Sequence, residues 1–212
     1  MSYKQKHTEI LDSETGYNLV ATQYKNYHKH LDSFYDLDIQ RFLPRDNQDL
    51  DIIDLGAGDG RLFKYFENVP FRKYTACDIA PELLAHHPER GIKIEKVVCD
   101  LETTLPFDED SFDIAMSFFV LEHISDLQSM FEETYRILKN GGKFIIGHFL
   151  QRREFEWSIG KGDKHKKFKI KQYHYRLEEI QEAAEYSFFK FEYQEIVEEG
   201  VLIGYLIICD KD

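Results

Sequence analysis

Apolar residues in the first fifth of the chain recur at intervals of three and four positions. The residues between 15 and 43 that keep this interval are Tyr17, Val20, Ala21, Tyr24, Tyr27, Leu31, Phe34, Tyr35, Ile39 and Phe42. This spacing predicts two successive helices, which end before Pro44. Residues 1–13 are polar and are predicted to be loosely docked.

From position 50, short apolar runs alternate with segments of helical spacing. The runs at 50–55, 72–79, 92–99, 112–117 and 143–149 predict strands, and the segments at 61–67, 81–86 and 126–138 predict helices. The residues Asn140, Gly141 and Gly142 are predicted to stop the last of these helices. Alternating strands and helices joined by short turns indicate an α/β sheet that is mostly parallel.

The end of the chain has a third pattern. Residues 151–175 are strongly charged without a clear period, and residues 176–186 have helical spacing. Residues 188–197 and 202–209 then predict two strands around Gly200. Strands joined by so short a turn run antiparallel, so the sheet is predicted to end in an antiparallel hairpin.

The strand at 50–55 leads directly into a glycine-rich turn, GAGDG. Glycine allows a sharp turn and a close approach of the backbone to a ligand, so we expect a small molecule to bind there. The dinucleotide fingerprint G-x-G-x-x-G would place its third glycine at Arg61, whereas this chain has Gly60. This difference disfavours a nicotinamide-dependent oxidoreductase.

Three acidic residues lie at predicted strand ends, where open parallel sheets bind their ligands. Asp54 precedes the glycines, Asp78 closes the second strand and Asp100 follows the third. Asp78 lies about 20 residues beyond the turn, the spacing at which a strand-end carboxylate accepts both hydroxyls of a ribose. The sequence therefore predicts a cofactor that contains ribose.

Together these motifs resemble a class I S-adenosylmethionine-dependent methyltransferase of the small-molecule group that includes ubiquinone- and menaquinone-biosynthesis enzymes. The matching segments are DLGAGDG, the acid at Asp78, CDLE, LPFDEDSFD, VLEHISD and RILKNGG. The resemblance implies a Rossmann-like, doubly wound, seven-stranded sheet, mostly parallel with an antiparallel C-terminal hairpin. It also implies helices on both faces and an N-terminal helical cap.

The resemblance assigns S-adenosylmethionine as the cofactor and S-adenosylhomocysteine as its product. The residues that it places at the cofactor are Tyr17, Tyr24, Asp54, Gly56, Ala57, Gly58, Asp78, Ile79, Asp100, Leu101 and Phe118. It implies that Asp78 holds the ribose and that Asp100 and Leu101 border the adenine. Tyr17 and Tyr24 would close over the cofactor, although they also fit the buried stripe of a helix.

No catalytic residue is assigned, because methyl transfer needs alignment and exclusion of water more than a dedicated group. A base assists when the acceptor is a hydroxyl, and His123 and His148 are the candidates. A structural role at a helix start is the alternative for His123. No metal site is predicted.

Residues 152–176 carry nine Lys or Arg and three acidic residues, in a chain of net charge −12. This basic segment is consistent with an anionic small-molecule acceptor or with a solvated loop that balances an acidic body. The acidic charge elsewhere disfavours nucleic acid. Methylation of RNA or protein, and a non-catalytic sensor or scaffold that binds S-adenosylmethionine, stay open as alternatives.

A single domain is predicted for 212 residues. Its expected parts are a helical cap at 1–48, a cofactor-binding core at 49–150, a basic acceptor-side segment at 151–176, and a helix and hairpin at 177–212. No apolar run approaches ~20 residues, so we expect no membrane span and a cytoplasmic protein. The cysteines Cys77, Cys99 and Cys209 are odd in number and lie in apolar runs, which predicts buried free thiols.

Overall fold

A computed structural model of the protein describes residues 8–24, 49–66, 71–88, 94–150, 156–160 and 165–212. The predicted N-terminal helices lie largely outside these residues. The described part of that region contains α1 (Ser13–Val20), which begins after Asp12. The Asp12 side chain caps the helix by accepting a hydrogen bond from the backbone N–H of Thr15.

Seven strands form the main sheet in the order β4-β3-β2-β5-β6-β10-β9. Their bounds are β2 Leu50–Leu55, β3 Phe71–Asp78, β4 Ile94–Val98, β5 Phe112–Phe118, β6 Leu138–Phe149, β9 Lys190–Glu198 and β10 Val201–Asp210. The strands from β4 to β6 are parallel, and β10 runs antiparallel to both β6 and β9. The predicted mixed sheet with a C-terminal hairpin is confirmed.

Helical segments cover both faces of this sheet, as predicted. They are α2 Pro81–Leu84, α3 Leu127–Ile137, α4 Leu177–Tyr186 and the 3-10 turns Leu62–Tyr65 and Leu121–His123. Phe63 and Leu84 pack in the cluster on one face. Phe131 of α3 and Ile180 of α4 pack in the cluster on the other.

Two predicted helices of the core differ most from the structure. In the described part of the helix predicted at 61–67 the structure has the 3-10 turn Leu62–Tyr65, which buries Leu62 and Phe63. The helix predicted at 126–138 ends at Ile137, and β6 begins at the next residue because Leu138 pairs with Phe112 of β5. Gly141 therefore lies inside the strand, at a positive φ of 78°, and does not stop the helix.

A second, three-stranded sheet was not predicted. It joins β1 (Glu9–Leu11), β7 (Glu156–Ile159) and β8 (Lys166–Ile170) in the order β1-β8-β7. The expectation of a loosely docked N-terminus was therefore wrong for Glu9–Leu11. The charged segment at 151–175, for which no helix or strand was predicted, contains β7 and β8. Phe168 and Ile170 of β8 alternate with lysines and pack with Trp157 and with Val20 of α1. Residues 151–155 and 161–164 of the basic segment lie outside the described residues.

The cysteine prediction was wrong for two of the three residues. Cys77 and Cys99 form a disulfide between the ends of the neighbouring strands β3 and β4, with Cα atoms 5.9 Å apart. The parallel pairing of these strands brings the two cysteines together, since the backbone N–H of Cys99 donates to the carbonyl of Asp78. Cys209 is a buried free thiol, as predicted.

Candidate cofactor site

A cavity of about 390 Å³ lies at the carboxyl ends of the parallel strands, where the strand order reverses between β2 and β5. The predicted site residues that line it are Tyr17, Tyr24, Gly56, Gly58, Asp78, Ile79, Asp100, Leu101 and Phe118. A smaller cavity of about 40 Å³ shares part of this lining and adds Asp54, Ala57 and Arg61. The structure thus brings together all eleven residues predicted to lie at the cofactor.

The glycine turn is held against the end of β3 by backbone hydrogen bonds. The N–H groups of Gly56 and Ala57 both donate to the carbonyl of Cys77, at 2.7 and 3.0 Å. Gly56 and Gly58 have positive φ angles of 80° and 55°, which side chains disfavour. A Cβ at Gly56 would also overlap the side chain of Val120. Only glycine fits this position of the turn.

The strand-end carboxylates differ in their partners. Asp78 accepts hydrogen bonds from the backbone N–H groups of Gly58 and Ala80, each at 2.8 Å. Burial nevertheless raises the pKa of Asp78 above its ordinary value. Asp100 accepts from the N–H of Glu102 at 2.9 Å and lines the larger cavity. Both carboxylates therefore border the space that a ribose and a base would need.

Asp54 is a buried carboxylate with one unsatisfied oxygen. Its Oδ2 accepts a hydrogen bond from the Tyr74 hydroxyl at 2.9 Å, and its Oδ1 has no partner among the described residues. Burial raises the pKa of Asp54 to about 7. Since Asp54 lines the smaller cavity, a positively charged group bound there would complete its hydrogen bonding. The α-ammonium of S-adenosylmethionine has the chemistry that fits this oxygen.

Aromatic side chains form one wall of the larger cavity. Tyr17 and Tyr24 meet edge to face at 5.7 Å, and Trp157 stacks on Tyr24 at 6.0 Å. The Arg61 guanidinium lies 5.1 Å from the centre of the Tyr24 ring. Both rings line the cavity and also pack on buried clusters, so their positions are compatible with either interpretation.

The two candidate bases occupy different places. His123 lines the cavity, and its Nε2 lies 2.7 Å from the hydroxyl oxygen of Tyr17. His148 lies outside the lining of both cavities, is buried, and has its Nε2 3.3 Å from the carbonyl of Tyr175. Burial lowers the pKa of each histidine, to about 4 for His123.

Sequence reasoning missed several residues of the cavity wall. Those outside the predicted set include Glu102, Val120, Lys171 and Tyr173. Glu102 and Val120 belong to the motifs CDLE and VLEHISD, so their positions carried a usable signal. Lys171 and Tyr173 follow β8, and only the unpredicted sheet brings them to the cavity.

Among the described residues, no group of three or more histidine, cysteine or acidic side chains is arranged to hold a metal ion. Every helix in this part of the chain is too short or too polar to cross a membrane.

Residues 53–146 match the family described as "Methyltransferase domain", which spans the glycine turn, Asp78 and Asp100. Over this segment the chain is similar to class I S-adenosylmethionine-dependent methyltransferases, a group that includes ubiquinone and menaquinone methyltransferases.

Three curated relatives are similar to part of this chain. An uncharacterised protein of Methanocaldococcus jannaschii is 36% identical, over 57% of this chain and 53% of its own. The mitochondrial arginine hydroxylase of Homo sapiens is 36% identical, over 46% of this chain and 28% of its own. The ubiquinone/menaquinone biosynthesis C-methyltransferase of Cereibacter sphaeroides is 29% identical, over 51% of this chain and 45% of its own. The aligned regions thus span about half or less of each relative.

A solved structure supports the fold over nearly the whole chain. The complex of DhpI with SAH has a TM-score of 0.72 and 17% identity, and covers 93% of this chain and 93% of its own. At this identity the likeness shows the fold alone.

Proposed function

We propose that this chain transfers the methyl group of S-adenosylmethionine to a small molecule that enters the cavity beside the cofactor. The observation that carries the proposal is one cavity of about 390 Å³ lined both by strand-end carboxylates and by an aromatic wall. Its volume falls within the range of small-molecule sites. The carboxylates suit the nucleoside of the cofactor, and the aromatic rings suit its sulfonium.

We assign the cofactor contacts as follows. Asp78 accepts the ribose hydroxyls, Asp100 and Leu101 border the adenine, and the turn at 56–58 passes under the methionine portion. Asp54 receives the α-ammonium at its unsatisfied oxygen. When bound, S-adenosylmethionine supplies a methyl group on a positively charged sulfur. The chain contributes binding, orientation and exclusion of water, which together supply much of the acceleration.

The acceptor is proposed to be anionic, and Lys171 supports this assignment. Lys171 lines the cavity, with its ammonium 4.9 Å from the centre of the Tyr173 ring. Lys166 and Lys167 are exposed on β8, and Lys167 pairs with Glu156 at 2.6 Å. The described lysines of β8 therefore mainly form a solvated face, and Lys171 is the contact that an anionic acceptor would meet.

The methyl-transfer proposal is tested by incubating the protein with a metabolite extract and S-adenosylmethionine labelled on the methyl group. Label in the small-molecule fraction supports it. Label in RNA or protein would favour a macromolecular acceptor, and cofactor binding without transfer would favour a sensor. One relative is named a hydroxylase, so recovery of the label in a methylated product is required.

The anionic-acceptor proposal needs a separate experiment. Phosphorylated and carboxylated metabolites are screened by thermal shift with S-adenosylhomocysteine present. Lys171→Gln should weaken binding of each hit and reduce its salt dependence, whereas Lys166→Gln should leave both unchanged. Hits that are neutral, or that bind Lys171→Gln as well as the unmodified protein, would contradict an anionic acceptor.

A further inference from the structure

Tyr17 and His123 form a hydrogen bond in the cavity wall whose direction can be worked out. The Tyr17 hydroxyl oxygen lies 2.7 Å from Nε2 of His123, and the other ring nitrogen, Nδ1, lies 3.2 Å from the carbonyl oxygen of Lys171. A carbonyl only accepts, so Nδ1 carries the hydrogen of the neutral ring. Nε2 is then an acceptor, and the Tyr17 hydroxyl donates to it.

Both members of this pair stay neutral near pH 7. Burial lowers the pKa of His123 to about 4. Burial also raises the pKa of Tyr17 well above its ordinary value, and the proximity of Tyr24, Glu122 and Asp78 raises it further. The hydroxyl proton therefore remains on Tyr17, although the charge of Arg61 opposes this shift.

We propose that His123 is a positioning residue that turns the hydroxyl proton of Tyr17 away from the cavity, so that Tyr17 presents only oxygen lone pairs to the methyl group of bound S-adenosylmethionine. A hydroxyl that rotates freely offers either a proton or a lone pair, whereas this one is fixed. The inference rests on the proposed function and gives His123 a role other than that of a base. Its Nε2, the nitrogen that a base would use, is occupied by Tyr17.

An oxygen that presents only lone pairs binds an electropositive group, either a hydrogen-bond donor or a polarised C–H. The methyl group on the cofactor sulfonium has this character, and the thioether of S-adenosylhomocysteine lacks it. A donor group on the acceptor has the same chemistry. Binding measurements made without acceptor distinguish a contact with the cofactor methyl from a contact with the acceptor. We assign the contact to the cofactor methyl.

The test is calorimetry of Tyr17→Phe with three ligands. Sinefungin carries an amine where S-adenosylmethionine has its sulfonium methyl, and S-adenosylhomocysteine has neither group. Loss of a C–H···O contact should weaken the binding of S-adenosylmethionine about two- to fivefold. Loss of a charge-assisted hydrogen bond should weaken the binding of sinefungin about tenfold or more. Binding of S-adenosylhomocysteine should stay within about twofold, by the same conversion.

The role of His123 has its own readouts. His123→Phe should change the ligand selectivity in the same direction as Tyr17→Phe but by less, because the released hydroxyl can still present a lone pair. His123→Gln, whose amide oxygen accepts a hydrogen bond, should keep the selectivity of the unmodified protein. Long-range ¹H–¹⁵N NMR at pH 7 should show His123 neutral with its hydrogen on Nδ1. Tyr186→Phe, an exposed tyrosine outside both cavities, serves as the matched control.

Three results would overturn the inference. They are an equal loss for all three ligands in Tyr17→Phe, an unchanged preference in that variant, and a hydrogen on Nε2 of His123. If the unmodified protein binds neither S-adenosylmethionine nor S-adenosylhomocysteine, the cofactor assignment itself fails. The two failures are therefore distinguishable.

Discussion

The carboxylate of Asp78 accepts a hydrogen bond from the backbone N–H of Gly58 at 2.8 Å, which ties the end of β3 to the glycine turn. The same side chain accepts from the N–H of Ala80 through its other oxygen. Asp78 therefore shapes the turn as well as bordering the cavity. Removing the Asp78 carboxylate should disturb both the turn and the cavity.

Asp78→Ala should weaken binding of S-adenosylhomocysteine by about tenfold or more. The variant loses a charged hydrogen-bond acceptor, and such bonds contribute roughly 1.5–3 kcal/mol. The affinity of Asp78→Asn should lie between those of the unmodified protein and Asp78→Ala, because the asparagine amide oxygen still accepts a hydrogen bond from one N–H. Calorimetry measures the three affinities, with the exposed Asp108→Ala as control. Unaltered affinity in Asp78→Ala would refute the ribose assignment.

Glu122 should make stability depend on pH. It is 8% exposed, its Oε2 has no hydrogen-bond partner among the described residues, and burial raises its pKa from 4.5 to about 7. The folded protein therefore binds a proton that the unfolded chain releases in this window. Consequently, the contribution of Glu122 to the free energy of unfolding should fall as pH rises from about 4.5 to 7.

Glu122→Gln should remove this contribution and stabilise the protein at pH 8 by up to about 3 kcal/mol. The difference should vanish near pH 4, where the glutamate is protonated in both states. Urea denaturation at pH 4, 6 and 8 measures the slope. The slope that remains in Glu122→Gln combines Asp54, whose raised pKa gives the same sign, with His123 and His148, whose lowered pKa values give the opposite sign. A variant that keeps the full slope of the unmodified protein would contradict the assignment to Glu122.

The disulfide between Cys77 and Cys99 predicts a thiol count. Protein denatured without reductant should show one reactive thiol, that of Cys209, and three after reduction. The bond closes a separation of 22 residues, so Cys77→Ser should lower the free energy of unfolding by roughly 3 kcal/mol. Three reactive thiols before reduction would show that the bond is absent.

The parts of the fold that the sequence predicted are those with a local cause. The apolar run at 50–55 and the glycines after it are neighbours in the chain, so their local pattern predicts a strand and a turn before any distant partner is known. Asp78 and Asp100 reach the cavity because parallel strands carry their carboxyl ends to the same edge. The parallel core and the ligand end of the sheet were predictable for this reason.

The parts that escaped prediction depend on distant partners. Glu9 pairs with Phe168, so β1 exists only because β8 lies beside it. The many lysines of β8 made the segment look uniformly charged, so the alternation that buries Phe168 and Ile170 was not recognised. The hydrogen bond between Tyr17 and His123 likewise joins α1 to the turn after β5. Its direction also depends on a third segment, which supplies the carbonyl of Lys171.

Phe188 provides a test of backbone strain away from the site. It follows α4 with a φ of 68°, and its side chain is 79% exposed. The N–H of Phe189 donates to the carbonyl of Ala184, and the N–H of Phe188 to that of Glu185, a helix ending that favours glycine at this position. A left-handed conformation costs a residue with a Cβ roughly 1–2 kcal/mol.

Phe188→Gly should therefore raise the free energy of unfolding by about 1 kcal/mol, because relief of the strain exceeds the loss of the ring contact with Tyr135. Phe188→Ala keeps a Cβ and loses the same contact, so it should be less stable than Phe188→Gly. Urea denaturation of the three proteins measures the order. If Phe188→Ala proved the more stable of the two variants, the left-handed backbone at this position would not be the source of strain.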